Sequence, residues 1–158
     1  MNVYLIESSN VFAPVLVQLI DRTSARVVGR TPDARTAIRE IPALKPDVVI
    51  VGIPLATRNG FDVLKHIGAM RPRPIAMVLS DSASEPARER ALRSGAAYYF
   101  DKFHDLHAWT DVLRDLSLLL QQRRLESGDT RVPNAAAPFA RVLPDQEQAH
   151  DTRSGDTA

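Results

Sequence analysis

The sequence predicts an α/β fold in which a five-stranded parallel sheet, ordered 2-1-3-4-5, is covered by helices on both faces. Three observations predict it. Short β-branched runs and helix-period segments alternate five times between Val3 and Gln122, and such alternation implies a parallel sheet with crossover helices. The run Val48–Ile53 is apolar at both parities, so it has no solvent face, as a strand buried between two helical layers requires. The length, 158 residues, suits one domain rather than two. Right-handed crossovers then leave few arrangements, and the doubly wound flavodoxin-like order is the natural one for five strands.

Each element has its own signal. Val3–Ile6 is an apolar run that ends at Glu7-Ser8-Ser9-Asn10, a polar cluster suited to a loop and a helix N-cap. Val11, Val15, Leu16, Leu19 and Ile20 then recur at helical spacing. Arg26–Gly29 is a brief second strand, and Pro32 fits the first turn of a helix carrying Ala34, Ala37, Ile38 and Ile41. Pro46-Asp47 breaks the chain before the third strand, Val48–Ile53. Asn59-Gly60 introduces a helix with Phe61, Leu64 and Ile67. Pro74 precedes the fourth strand, Ile75–Leu79. Ser84 is placed to cap a helix through Ala87, Ala91 and Leu92 that ends at Gly95. Ala97–Phe100 is the fifth strand, and the last helix begins near Asp105 with Leu106, Trp109, Leu113, Leu116 and Leu120 on one face.

Composition bounds the function. There is no cysteine, which excludes disulfides, thiolate metal sites and a cysteine nucleophile. Lys plus Arg is 20 against 19 for Asp plus Glu, a balance that argues against nucleic-acid binding. The longest apolar stretch, Val48–Leu55, is far short of the ~20 residues of a membrane span. No basic leader precedes Glu7, so a soluble cytoplasmic chain is expected. Residues 123–158 have only five large apolar residues, with three prolines. Such a segment cannot offset its ordering entropy. The expected organisation is a domain over 1–122 and a disordered tail over 123–158. Within it, Arg123-Arg124 reads as a solvated helix end.

Ligand crevices in such sheets lie beyond the carboxyl ends of the strands. Here that edge gathers Glu7-Ser8, Gly52, Ser80 and Phe100-Asp101-Lys102. Only three lysines occur among the 20 cations, so Lys102 stands out. The segments Pro46-Asp47 to Leu55, Asn59 to Leu64, and Ala91 to Lys102, with Ser80 and Lys102 22 positions apart, resemble the receiver domain of two-component response regulators. That resemblance covers about three quarters of the chain. It implies an acidic pair after the first strand that holds Mg²⁺, an Asp ending the third strand that accepts a phosphoryl group, and a Ser or Thr and a Lys that bind its oxygens. A carboxylate nucleophile meeting a phosphoryl dianion needs such cations nearby.

Against that pattern the acceptor position falls on Gly52, which has no side chain, and the acidic pair on Glu7 and Ser8, which leaves one carboxylate. Ser80, Lys102 and the switch-type aromatic Tyr99 match, while Phe103 stands where the family usually has proline. A degenerate pseudo-receiver is therefore expected, with no cofactor and too few carboxylates for Mg²⁺. Lys102 is free to pair with Glu7 and fill the vacated pocket, and Ser80 to cap the next loop. Such a protein would act in bacterial signal transduction by phosphorylation-independent contact with a protein partner or a second copy, not with nucleic acid or membrane, and not as an enzyme. The resemblance points to the face of the fourth helix, fifth strand and fifth helix, with Arg90, Tyr98, Trp109 and Val112 as candidates. Trp109 reads equally as an exposed anchor or as core beside Leu106 and Leu113. Two alternatives remain: a phosphoacceptor at Asp81 or Asp101, both near the same edge, or an anion or nucleotide held in the pocket.

Overall fold

The computed structural model describes residues 1–55, 60–82 and 84–128. Its elements alternate strictly: β1 (Asn2–Ile6), α1 (Phe12–Asp21), β2 (Arg26–Thr31), α2 (Ala34–Leu44), β3 (Val48–Ile53), α3 (Gly60–Ala69), β4 (Ile75–Ser80), α4 (Glu85–Arg93), β5 (Tyr98–Asp101) and α5 (Leu106–Ser127). The strands form one sheet in the order β2-β1-β3-β4-β5, and every pairing is parallel. The expected fold is the one observed.

The pleat of β3 explains the two cores. Val49 and Val51 face a layer with Ala37 and Ile41 of α2, Val63, Leu64 and Ile67 of α3, and Ala91 of α4. Val48 and Ile50 face the opposite layer, with Leu16 and Ile20 of α1 and Trp109, Leu113 and Leu116 of α5. All four of these β3 side chains are fully buried. Each contributes about 1.5–3 kcal/mol relative to exposure, which is why a run without a polar face becomes the central strand.

Local chemistry sets the helix ends, in places differently from the sequence expectation. Pro32 lies before α2 rather than in its first turn, because β2 continues to Thr31 and Asp33 is the N-cap, accepting from the Thr36 amide at 2.8 Å. Ser84 does precede α4, but its hydroxyl makes no capping bond; its carbonyl accepts from the Ala87 and Arg88 amides instead. Gly95 closes α4 at φ +109°, a conformation that suits glycine.

At α5 one open reading is decided and two expectations are corrected. Trp109 is fully buried in the α1–α5 core, so it is not an interface anchor; helical spacing puts it on the same stripe as Leu113, Leu116 and Leu120. The helix also continues past Gln122 to Ser127, so the expected boundary falls inside α5. Of the Arg123-Arg124 pair expected to be a solvated end, Arg123 is exposed but Arg124 is only partly so. The Arg124 guanidinium reaches both carboxylate oxygens of buried Asp47, at 2.9 and 2.8 Å. Asp47 also accepts from the Asn2 amide at 2.7 Å. Of the tail expected to be disordered over 123–158, residues 123–127 are helical, and 129–158 lie outside the described residues.

Candidate functional site at the carboxyl edge

Strand hydrogen bonding runs one residue beyond the strands and places the site. The Glu7 amide donates to Thr31 O at 3.1 Å, the Asp81 amide to Ile53 O at 3.0 Å and the Lys102 amide to Ser80 O at 2.8 Å. Three charged residues are thereby placed along one edge by backbone alone. Gly52 lies among them on β3, in register with Leu79.

Lys102 joins the two carboxylates. Its ammonium lies 3.0 Å from Glu7 Oε2 and 2.9 Å from Asp81 Oδ1. The Glu7 side chain is wholly buried and that of Lys102 is 5% exposed, whereas that of Asp81 is 46% exposed. Glu7 Oε1 accepts from the Ser9 amide at 2.8 Å. Among the described residues Glu7 Oε2 takes no aligned hydrogen bond, so Lys102 holds it by charge. Burying a lone carboxylate or ammonium is costly, and each becomes tolerable only because the other is there.

Gly52 makes room for this arrangement. A Cβ built at residue 52 would meet Glu7 Oε2 well inside 3.0 Å, Glu7 Cδ at 3.0 Å and the Ile6 carbonyl at 3.1 Å. The Glu7 carboxylate therefore occupies the space that any side chain at residue 52 would need. Sequence reasoning placed Glu7, Gly52 and Lys102 at one edge and allowed for a Glu7–Lys102 pair. It did not reveal that the glycine and the glutamate fill one volume. It also weighed Asp81 only as an acceptor, although its place directly after Ser80 marks it as an edge residue.

The other singled-out residues serve the surrounding loops. Ser80 Oγ accepts from the Ser82 amide at 3.2 Å, the loop-capping role foreseen for it. The Tyr99 ring is buried, and its hydroxyl donates to Ser82 O at 2.6 Å. Ser8 donates weakly to Pro54 O at 3.3 Å. Asp101 points away from Lys102: its Oδ1 accepts from the Phe103 and His104 amides at 2.7 and 2.9 Å and lies 2.9 Å from the His104 ring. Burial pushes its pKa up, but these hydrogen bonds and the His104 charge outweigh it and hold the carboxyl below its ordinary range.

A Mg²⁺ ion does not fit these residues. Glu7 and Asp81 already face the Lys102 ammonium, Ser8 supplies no carboxylate, and Gly52 supplies no side chain. No group of three potential metal ligands occurs among the described residues. Over the three charges lies an open cavity of about 350 Å³, lined also by Ser8, Ser9, Val11, Phe12, Pro54 and Phe103.

On the face expected to meet partners, Arg90 is exposed but stacks over the Phe61 ring at 4.0 Å. Tyr98 is half-buried against Phe100, and Val112 is half-buried on the α5 side. Trp109 lies beneath them in the core.

Comparison with known proteins settles the family. Residues 3–114 match the model of the response regulator receiver domain. The chain belongs to that family. Its similarity extends to a protein-glutamate methylesterase/protein-glutamine glutaminase of Symbiobacterium thermophilum, 29% identical over 147 residues, which are 91% of this chain and 40% of the relative. A second enzyme of that name, from Vibrio vulnificus, is 33% identical over 65% of this chain and 30% of its own length. The receiver thus spans well under half of these relatives. Among solved structures, the response regulator domain of Thermotoga maritima CheB is 25% identical with a TM-score of 0.60, covering 84% of this chain and 98% of that one. The response regulatory domain of mrkE from Klebsiella pneumoniae, at 19% identity, shares the fold with a TM-score of 0.68 over 77% of this chain and 99% of its own. The family match over residues 3–114 is thus to a receiver domain, a signalling module. No helix among the described residues is long and apolar enough to cross a membrane.

Proposed function

We propose that this receiver signals by protein contact without taking up a phosphoryl group. One observation carries the reading: the Glu7 carboxylate lies in the side-chain space of Gly52 and is paired there with Lys102 at 3.0 Å. The lysine that would neutralise a phosphoryl group already neutralises a carboxylate of the chain itself. A phosphoryl donor would meet no nucleophile on β3 and no metal to screen its charge. The partner surface in this reading is the α4–β5–α5 face, where Arg90, Tyr98 and Val112 remain at or near the surface.

The test is incubation of the full chain with acetyl phosphate and Mg²⁺, followed by intact mass. The expected spectrum has no phosphoryl adduct. A stoichiometric, hydroxylamine-labile adduct would overturn the reading. If that adduct vanished in Asp81→Asn, the acceptor would be Asp81, the half-exposed carboxylate beside Lys102. Asp101 is the weaker alternative, since its Oδ1 already accepts from two amides.

A further inference from the structure

Counted over the described lining residues, the cavity above Lys102 carries the opposite charge from the one its lysine suggests. Lys102 faces two carboxylates, Glu7 and Asp81, so the charged groups among the described lining residues leave one negative charge uncompensated. Of the two, Asp81 is the one a ligand can reach, and only its Oδ1 is engaged with the ammonium. Glu7 Oε2, buried behind it, lacks an aligned hydrogen bond among the described residues and draws the ammonium inward, away from full neutralisation of Asp81.

The rim adds an independent observation. Val11 and Phe103 are 83% and 68% exposed, among the most exposed large apolar side chains of the described residues. The Phe103 and Phe12 rings stand 6.4 Å apart at 50°, with Pro54 lining the same cavity. Aromatic faces beside an acidic floor attract cations that carry an apolar or planar body. An anion would meet Asp81 first, with the ammonium already engaged.

We propose that this cavity is a binding site for a guanidinium group, the side chain of an arginine, stacked on the Phe12–Phe103 rim and hydrogen-bonded to Asp81. Guanidinium fits better than ammonium because it is planar, weakly hydrated and able to stack and donate at once. The volume of about 350 Å³ admits one such side chain with its stem. The inference rests on the ion pairs and the rim and not on the absence of phosphorylation, so it can fail while the proposed function stands.

The test is a titration of the ¹⁵N-labelled full chain with the peptide acetyl-Phe-Ala-Arg-Val-Leu-amide, the sequence of residues 139–143, and separately with inorganic phosphate. The peptide should give saturable shifts at the amides of Asp81, Lys102 and Phe103, and phosphate should give none. Asp81→Asn should weaken the peptide about tenfold, the worth of one charge-assisted hydrogen bond. The exposed Phe103→Ala should weaken it too, and a peptide with Gln in place of Arg should not bind. Shifts from phosphate alone, or peptide binding indifferent to both variants, would overturn the proposal. An Arg141→Gln chain distinguishes the source of the arginine. Tighter peptide binding to it would mean that the chain's own Arg141 competes for the site, and unchanged binding would assign the arginine to a partner; either supports the site.

Discussion

A methyl group at residue 52 would fall on the Glu7 carboxylate, so the two residues can be tested as a pair. Gly52→Ala should cost about 1–3 kcal/mol, the usual penalty of overpacking a tight interior, because it must push Glu7 away from Lys102. In a Glu7→Ser background the same substitution should cost less than half as much, since the colliding carboxylate is gone. Urea unfolding followed by the fluorescence of Trp109, the only tryptophan and wholly buried, reads both. Equal costs in the two backgrounds would mean that Glu7 is not what fills the space. This is also where the sequence was least legible. A glycine in place of the expected carboxylate is visible at once, but its emptiness does not say which neighbour moves in. Asp101 carries the complementary lesson. Its position beside Lys102 suggested chemistry, whereas the amides of Phe103 and His104 take its carboxylate for the turn.

Among the elements, β3 was legible to the residue because apolar side chains at both parities allow only a central, doubly covered strand. The end of α5 was not. The drop in apolar content after Gln122 marks where core-facing residues thin out. The helix persists to Ser127 because Arg124 reaches back to Asp47, 77 positions earlier in the chain. No local pattern announces an ion pair that distant. Arg124→Met should therefore destabilise the chain by about 2 kcal/mol, since it leaves the buried Asp47 carboxylate with the Asn2 amide as its remaining hydrogen-bond donor. Helix content by circular dichroism should fall slightly with it. A loss below about 0.5 kcal/mol, the range of ordinary surface substitutions, would show that the pair does not hold the helix end.

For the molecule as a whole, a receiver fold with its carboxyl-edge charges closed on one another is expected to hold one conformation whatever the phosphoryl donor. Glu7, Lys102 and Asp81 are tied through β1, β4 and β5, and Ser80 and Tyr99 are tied through Ser82 to the loop after β4. Any signal read at the α4–β5–α5 face would then be set by partner binding. The most direct measurement is the ¹H–¹⁵N amide spectrum of the full chain before and after acetyl phosphate with Mg²⁺. Superimposable spectra are expected at Ser80, Ser82, Tyr99 and Lys102. A second set of peaks at those residues, growing with acetyl phosphate and fading as it is consumed, would contradict that expectation.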